Sequence, residues 1–474
     1  MKKEIVVMIE DGSAIQIDVA AKEKKVEKFS LNHPLSDLRI VTYQPDLLIN
    51  LIGQNSYRCE ILDFECIDKQ IRQSVGLEEP DKRWSIPNML ATYLNIEEKN
   101  WQFEEHEELL KQLAECYLKM KEIGTDEWKR IEDIEIPVNR VLYEAQLNGC
   151  YFNHEGIESL CAEIHKSIYD YKNKIQLELN YTNDDLETYL KLKKIKYSTL
   201  SDNEIKWLCK QNQELEPFWK IRRDKRNLDC LVILSAMRKG TSICKPIYKG
   251  FASTTGRIFM RDPSIQNLRR KYRNLLKNDA LPFGYRYLYI DFGQFEAGIL
   301  AGLTGNKKLQ EIYEKDTLYE RLAIMSKIED RDDAKVAFYC YVYGGKVSKG
   351  TESFFDLYGL KGISDKIVEE SMERGYVASP FGNKRIVRNE SDKKWIMNHY
   401  IQSTSSLIFK QALIDVYNVY RSNAKLLIPM HDAALYMVNT SVSTESIINV
   451  FKDAFKKWVP NSKPVVKEKN FFEE

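Results

Sequence analysis

The sequence lacks the features of a membrane-spanning, secreted or zinc-stabilised protein. No apolar run approaches the roughly 20 residues that a membrane helix needs. The apolar run at residues 5–9 is too short for the core of a signal peptide. The nine cysteines form no Cys-x-x-Cys pair, so neither a zinc site nor a disulfide framework is indicated. We therefore expect reduced thiols and a cytoplasmic protein.

The net charge is also close to zero, but acidic and basic residues are unevenly distributed along the chain. The 474 residues carry a formal charge of +1. Residues 1–140 hold 28 acidic against 19 basic side chains, whereas residues 221–280 hold 4 acidic against 15 basic ones. So much local positive charge is typical of a face that binds a polyanion, with an ordinary solvated surface as the alternative. The length predicts two or three domains.

The acidic N-terminal part has the pattern of a small α/β domain that ends near residue 124. Apolar runs at residues 5–9 and 14–19 flank Asp11-Gly12, which is a strong hairpin signal. A short helix over residues 46–52, a strand over residues 58–64 and helices from residue 86 onwards complete the pattern. Beyond it, residues 136–230 are predicted to be mostly helical.

A strand that ends on a carboxylate is the first candidate for chemistry. Residues 285–290 have the composition of a buried strand, and Asp291 follows directly. After Gly293 the apolar residues recur four apart, as they do on one helix face. A carboxylate in this position is well placed to hold a metal ion over a cleft, and the alternative is that it caps the next helix.

Cations and aromatic rings share one face of a predicted helix. Arg331, Lys335, Tyr339 and Tyr343 recur every fourth residue, and two glycines then end the pattern. The cationic end of this face suits a triphosphate, and the aromatic end suits a sugar and a base. A structural cation pair followed by core tyrosines is the alternative.

A second carboxylate lies at the tip of a predicted hairpin. Apolar runs flank His431-Asp432 on both sides. An aspartate in apolar surroundings is costly unless it is paired or bound to a metal, although His-Asp turns are also common. Together, Asp291 and Asp432 could hold two divalent cations about 3.5–4 Å apart, as phosphoryl-transfer centres do.

The basic segment supplies side chains that suit nucleic-acid contacts. Residues 251–257 are rich in small hydroxyl residues and end on Arg257, and residues 262–270 include Gln266 and Asn267. Hydroxyl, amide and guanidinium groups contact phosphates and groove edges. Asp262-Pro263 is also an ordinary turn signal.

Together and in this order, these stretches resemble the motifs of the family A DNA polymerases, the group of bacterial DNA polymerase I and many phage replicases. Residues 291–296 resemble the first palm motif, Arg331 to Gly344 resemble the fingers helix, and His431-Asp432 resembles the second carboxylate motif. The resemblance covers about residues 136–474. It also includes the following positions: Thr255, Gly256, Arg257, Gln266, Asn267, Asn398 and Gln402.

The resemblance implies a template-directed DNA polymerase that uses two Mg²⁺ ions, for which Mn²⁺ is expected to substitute. The implied metal ligands are Asp291, Asp432 and the carbonyl of Phe292, and Lys335 joins the two aspartates as catalytic. The implied nucleotide-binding residues are Arg331, Lys335, Tyr339, Tyr343, Gln294, Glu296 and His431. The implied contacts to primer-template DNA are Thr255, Arg257, Gln266, Asn267, Asn398 and Gln402. Glu296 would exclude a ribose 2′-hydroxyl.

Three departures from the family pattern affect these expectations. Ala433 stands where a glutamate usually follows His-Asp, so we expect reduced rather than abolished activity. Tyr339 stands at the Phe-or-Tyr position, and in the family a tyrosine there tolerates dideoxynucleotides. Residues 343–375 are shorter than usual, so the fingers are expected to be trimmed.

The N-terminal part resembles a truncated 3′–5′ exonuclease domain, of RNase H-like fold, that has lost its metal-binding carboxylates. Tyr117 fits the last motif, but Lys121 replaces its aspartate, and Thr42 replaces the asparagine that would precede Asp46. Residues 5–19 resemble the later hairpin strands of that domain, and the first strand with its Asp-x-Glu motif is not recognised. We therefore expect no proofreading.

The sequence thus predicts an α+β right-hand polymerase behind a small exonuclease-like domain over residues 1–135. Within residues 136–474, the thumb is expected at about 136–230, the palm at about 231–305 and 395–474, and the fingers at about 306–394. We expect a monomer that binds primer-template DNA and dNTPs and no membrane, in a host cytoplasm if the gene is from a phage. Two alternatives stay open: a weakened polymerase-fold protein that only binds primed DNA, and a single-subunit RNA polymerase, which Glu296 disfavours.

Overall fold

The computed structural model describes residues 2–10, 12–30, 34–77, 84–99, 101, 105–175, 182–197, 200 and 202–473. The chain forms two compact units. Unit 1 comprises Met1–Asn148, Tyr248–Phe259 and Pro282–Lys469. Unit 2 comprises Gly149–Ile247, Met260–Leu281 and Asn470–Glu474. Within the described ranges, no helix combines the length and the apolar character needed to cross a membrane.

Unit 1 begins with a five-stranded sheet. Its strands are β1 (Lys3–Glu10), β2 (Ser13–Asp18), β3 (Val26–Lys28), β4 (Leu38–Thr42) and β5 (Glu60–Asp63), in the order β3-β2-β1-β4-β5. The predicted hairpin is confirmed, since β1 and β2 pair antiparallel with Glu10 opposite Ser13. β1 also pairs parallel with β4, and β4 with β5. The sequence alone did not show β3 and β4.

β1 is the central strand of this sheet, between β2 and β4. Ile5, Val7 and Ile9 pack on one face together with Leu48 and Ile49. Val6 and Met8 pack on the other face, in a core that includes Leu110, Leu113 and Tyr117. A continuous apolar run is the pattern of a strand that is buried on both faces.

Helices cover both faces of the sheet and lead into one long helical segment. They are α1 (Pro45–Ile52), α2 (Phe64–Val75), α3 (Ile86–Leu94) and α4 (His106–Ile123). Then follow α5 (Thr125–Arg130), a π-helical turn (Ile131–Glu135) and α6 (Ile136–Asn148). The boundary predicted at residue 135 lies inside this helical segment and inside unit 1, so it does not coincide with a division between the compact units.

Unit 2 is mainly helical. After β6 (Cys150–Tyr151), it contains α7 (His154–Ile175), α8 (Asn183–Leu192), α9 (Asp202–Gln211), α10 (Glu216–Ser235) and β7 (Ile243–Cys244). β6 pairs antiparallel with β7. Thr182 and Asp185 form a reciprocal capping box at the start of α8. Two short strands, β8 (Ile247–Lys249) and β9 (Phe259–Arg261), follow in the chain.

The remainder of unit 1 begins with β10 (Tyr285–Phe292), which contains the predicted strand, and continues as a run of helices. These are α11 (Phe295–Thr304), α12 (Lys307–Glu314), α13 (Leu318–Ser326), α14 (Arg331–Val342), α15 (Lys349–Leu357) and α16 (Leu360–Arg374). An antiparallel hairpin of β11 (Tyr376–Ser379) and β12 (Gly382–Ile386) follows. Among the described residues, short 3-10 helices lie at Leu35–Asp37, Gly53–Tyr57, Gln213–Leu215, Ile265–Asn267, Arg270–Leu276 and Glu390–Asp392.

The last part of unit 1 completes a second sheet around β10. It consists of α17 (Lys393–Tyr420), β13 (Ala424–Met430), β14 (Ala433–Asn439), α18 (Thr444–Trp458) and β15 (Val466–Lys469). The sheet has the order β13-β14-β10-β15, and each neighbouring pair is antiparallel. The hairpin predicted around His431-Asp432 is confirmed as β13 and β14.

Buried charges tie the N-terminal part of unit 1 to α17. The ammonium of Lys410 lies 2.8 Å from both carboxylate oxygens of Glu135. Arg130 Nη1 lies 2.6 Å from Glu135 Oε1, and all three side chains are at most 3% exposed. The carboxylate of Glu127 also accepts the backbone N–H groups of Asn383 and Lys384 on β12.

Candidate active site

The pairing of β10 with β14 places the two candidate carboxylates side by side. Asp291 lies directly opposite Ala433, the residue that follows Asp432. The N–H of Phe292 donates a hydrogen bond to the carbonyl oxygen of Asp432 at 3.2 Å. The turn between β13 and β14 uses the left-handed conformation at His431, whose φ is +49°.

The pKa of Asp432 is raised by the surroundings of its carboxyl group. Burial raises the pKa of Asp432 above its usual range, and the nearby negative charge of Asp291 raises it further, whereas Lys335 acts in the opposite direction. A hard cation that takes oxygen ligands would offset the negative charge of the two adjacent carboxylates. The donor set therefore fits Mg²⁺, although the described part of the chain holds no cluster of three or more His, Cys, Asp and Glu side chains arranged for a metal.

Asp291 lies in a cavity of about 310 Å³ that is lined by charged groups of both signs. The lining side chains with full charges are Asp291, Asp316, Arg331, Lys335, Asp432, Lys467 and Lys469. Gln294, Tyr319 and Tyr339 also line it, together with the residues between Asp291 and Phe295. The structure thus brings together seven of the residues predicted from the sequence: Asp291, Phe292, Gln294, Arg331, Lys335, Tyr339 and Asp432.

The predicted cationic face is the beginning of α14. Arg331 Nε lies 2.6 Å from Glu320 Oε1, and its guanidinium lies over the ring of Tyr319, 5.4 Å from the ring centre. The Tyr319 hydroxyl donates to the Tyr339 hydroxyl at 3.4 Å. The rings of Tyr339 and Tyr343 lie 5.7 Å apart. The helix therefore presents cations at its start and aromatic rings towards its end, as the spacing predicted.

Glu296 is held by two donors behind this cavity. The Tyr343 hydroxyl donates to Glu296 Oε2 at 2.7 Å, and Arg257 Nη2 donates to Glu296 Oε1 at 2.9 Å. Burial raises the pKa of Glu296, and the hydrogen bonds from Tyr343 and Arg257 act in the opposite direction. The carboxylate therefore has a fixed orientation, set by the end of α14 and by the loop before β9.

The other residues predicted to bind DNA fall into two groups. In unit 1, the Thr255 hydroxyl donates to Gln402 Oε1 at 3.4 Å. Asn398 lies one turn before Gln402 on α17, and its side-chain oxygen is buried with no hydrogen-bond partner among the described residues. Gln266 and Asn267 lie in unit 2, in the 3-10 helix Ile265–Asn267.

Three charged residues of the cavity were not singled out from the sequence. Lys469 Nζ lies 2.5 Å from Asp291 Oδ2, and Lys467 Nζ lies 2.7 Å from Asp316 Oδ2. The Gln294 amide also donates to Asp316. The only local sequence signal for the two lysines was their alternation along β15. Their place in the cavity depends on the pairing of β15 with β10, which the sequence does not show.

Known proteins share this architecture. The polymerase domain of Pol1 from M. smegmatis, in a complex with DNA primer-template and dNTP, superposes with a TM-score of 0.77 and covers 99% of this chain and 95% of its own. At 16% sequence identity this likeness defines the fold, which is the α+β fold of a polymerase domain.

The sequence comparisons define the family. The model of DNA polymerase family A matches residues 153–462, so the chain belongs to that family. DNA polymerase I of Caldicellulosiruptor bescii is 22% identical over 458 residues, which cover 84% of this chain and 52% of that protein. DNA polymerase I of Borreliella burgdorferi is 24% identical over 383 residues, covering 67% and 40% respectively. The chain thus spans about half the length, or less, of these relatives. The predicted family and fold are confirmed.

Proposed function

We propose that the protein is a template-directed DNA polymerase that adds dNTPs to a primer 3′-hydroxyl. The observation that supports this most directly is the cavity that Asp291 of β10 and Asp432 of the β13–β14 turn line together with Arg331 and Lys335 of α14. Phosphoryl transfer needs this combination of carboxylates and phosphate-binding cations. The M. smegmatis relative was solved with primer-template and dNTP, which are the substrates we propose here.

In this proposal Asp291, Asp432 and the carbonyl of Phe292 would hold two Mg²⁺ ions, with Mn²⁺ as a substitute. When bound, the ions would activate the primer hydroxyl and neutralise the triphosphate. Arg331 and Lys335 bind the triphosphate and offset the charge of the leaving pyrophosphate. The buried Glu296 limits the space at the sugar 2′ position. Tyr343, beside it, stacks near the templating pair.

Two further roles complete the proposed site. Gln294 and His431 would contact the incoming nucleotide at the edge of the cavity. Thr255, Arg257, Asn398, Gln402 and the Gln266-Asn267 pair would contact the primer and template. In this arrangement unit 2, with α7 to α10, corresponds to the thumb, residues 306–394 to the fingers, and the sheet around β10 to the palm.

We further propose that residues 1–135 form an exonuclease-like domain that no longer proofreads. Tyr117 and Lys121, at the place of the last exonuclease motif, both donate to Glu4 at 3.0 Å. Asp63 is paired with Lys249 at 2.5 Å. Lys121 thus supplies a cation at the place where the exonuclease motif has its aspartate, which supports the loss of metal binding there.

Primer extension tests the proposal. The parent should extend a primed DNA template with dNTPs but not with rNTPs, and Asp291→Ala and Asp432→Ala should each abolish extension. Asp453→Ala is the matched control, because this carboxylate is 76% exposed on α18. The proposal would be contradicted if either active-site variant extended the primer at the parent's rate, or if the parent did not extend it. The same reactions without dNTPs should show no loss of 3′-terminal nucleotides.

One observation supports a binding protein as the second candidate. Ala433, directly opposite Asp291, is fully buried and offers no carboxylate where the family usually has one. A parent that binds primed DNA without extending it would establish this candidate. Extension that needs both Asp291 and Asp432 would exclude it.

A further inference from the structure

The last strand of the second sheet contributes two lysines to the cavity. Lys467 and Lys469 alternate on β15, so both side chains point to the same side of the strand. Both line the cavity, and each pairs with a carboxylate there: Lys467 with Asp316 and Lys469 with Asp291. The side chains of Lys467 and Lys469 are 47% and 45% exposed, so water can solvate each ammonium when it leaves its partner.

The charge balance of the cavity indicates what these lysines add. The lining holds four cations, Arg331, Lys335, Lys467 and Lys469, against three carboxylates, Asp291, Asp316 and Asp432, which gives 4 − 3 = +1. Without the two lysines the balance would be 2 − 3 = −1. Two divalent cations and a nucleoside triphosphate of charge about −4 nearly cancel, so the lysines decide whether the loaded cavity keeps a net positive charge.

Lys469 also competes for a ligand of the proposed metal site. Its ammonium lies 2.5 Å from Oδ2 of Asp291, where it supplies the positive charge that a divalent cation would otherwise supply. A cation that binds Asp291 must therefore displace or repel the ammonium. Lys467 has no such conflict, because its partner Asp316 is not a proposed metal ligand.

We propose that Lys467 and Lys469 are a second phosphate-binding pair, and that Lys469 leaves Asp291 when a divalent cation binds. The freed ammonium and Lys467 then bind the triphosphate, and afterwards the pyrophosphate, from β15, while Arg331 and Lys335 bind it from α14. This inference rests on the proposed nucleotide site. It assigns to β15 a role in which one lysine stabilises the metal-free carboxylate and later contacts the phosphate.

Metal binding to the protein alone tests the exchange. Mn²⁺ is titrated into the full chain without nucleotide or DNA, and bound ion is measured by electron paramagnetic resonance. Lys469→Met should bind Mn²⁺ about three- to tenfold more tightly, because it removes a competing charge. Lys467→Met and Lys456→Met should change the affinity less than about twofold, since neither lysine contacts a proposed ligand. Unchanged or weaker Mn²⁺ binding by Lys469→Met overturns the exchange.

Pyrophosphate binding tests the phosphate contact. In the presence of Ca²⁺, calorimetry should show pyrophosphate binding weakened about three- to tenfold in both Lys467→Met and Lys469→Met, and unchanged in Lys456→Met. If Lys469→Met folds poorly, Lys469→Gln provides the same comparison. Equal pyrophosphate affinity in the parent and both β15 variants overturns the role in phosphate binding.

The two proposals fail in different ways. A parent that extends primers but lacks these differences contradicts the role of β15 alone. A parent that shows the differences but extends no primer contradicts the polymerase activity alone.

Discussion

The hydroxyl of Tyr343 donates a hydrogen bond to Oε2 of Glu296 across 2.7 Å. Tyr343 is the C-cap of α14, and Glu296 lies in the first turn of α11. Because Arg257 binds the other carboxylate oxygen, Glu296 is oriented from two directions. A side chain so fixed can exclude a hydroxyl group that a mobile one would accommodate.

Removal of Glu296 should therefore relax the choice of sugar. We expect Glu296→Ala to raise the ratio of ribonucleotide to deoxyribonucleotide incorporation by about tenfold or more, because the steric exclusion is lost. Tyr343→Phe keeps the carboxylate but removes one of its donors, so a smaller rise is expected. Single-nucleotide incorporation kinetics measure both ratios. An unchanged ratio in Glu296→Ala would remove Glu296 from this role.

The hydroxyl of Tyr339 should decide the response to dideoxynucleotides. It lines the cavity and accepts a hydrogen bond from Tyr319, and we expect it to substitute for the missing 3′-hydroxyl of the nucleotide. Tyr339→Phe should increase discrimination against dideoxynucleotides several-fold, about tenfold at most for one hydrogen bond. Tyr319→Phe is the control, because it leaves the Tyr339 hydroxyl in place. Equal ratios of dideoxynucleotide to deoxynucleotide incorporation in the parent and Tyr339→Phe would contradict this role of the Tyr339 hydroxyl.

The buried carboxylate of Glu135 should be essential for stability. Glu135→Gln leaves Arg130 and Lys410 as neighbouring buried cations without their shared counter-ion. Loss of one partner from a buried ion pair costs about 3–5 kcal/mol. Urea unfolding should therefore show a loss of that order. Glu132→Gln is the control, since its carboxylate is 43% exposed. A loss as small as that of the control would show that the cluster contributes little.

His399 should make the fold sensitive to acid. Burial lowers the pKa of His399 from 6.5 to about 4, although the hydrogen bond that its Nε2–H donates to the Asn383 carbonyl at 2.9 Å acts in the opposite direction. Between pH 6.5 and 4, His399 is protonated in the unfolded chain but neutral in the folded chain. The contribution of the neutral His399 to the free energy of unfolding is therefore present above pH 6.5 and is lost as the pH falls towards 4. Between pH 6.5 and 5 the loss should be about 2 kcal/mol.

Urea unfolding of the parent and of His399→Gln at several pH values isolates this contribution. The variant has no imidazole to protonate, so its stability should fall less over the same interval. The other titrating groups are common to both proteins and cancel in the comparison. Parallel pH profiles for the two proteins would contradict the assignment.

Local patterns in the sequence were sufficient where an element carries its own period. Three such patterns are each encoded within about 20 residues. They are the apolar run that leads through Asp291 into a helix, the four-residue spacing from Arg331 to Tyr343, and the polar tip of the hairpin at His431. The structure has β10, α14 and the β13–β14 hairpin at these places. Roles for these residues could be predicted because their order along the chain resembles that of a known family, and those roles stay predictions.

Features that depend on distant pairing could not be predicted in the same way. Lys469 is important only because β15 pairs with β10. This pairing brings Lys469 to Asp291, which lies 178 residues earlier in the chain. The three-residue strand β3 is too short to show an alternation of polar and apolar positions. The burial of His399 likewise depends on the packing of α17, whose sequence shows no single apolar face.

The cluster around Lys410 also bears on how such a protein can lose residues during evolution. A shortened descendant that began after residue 135 would lack both Arg130 and Glu135, and the ammonium of Lys410 would remain in the core of α17 with no anion to offset it. Deletion of the N-terminal part would thus be tolerated only after a substitution of Lys410. The N-terminal part can in this way persist for its charge alone, because the rest of unit 1 depends on it.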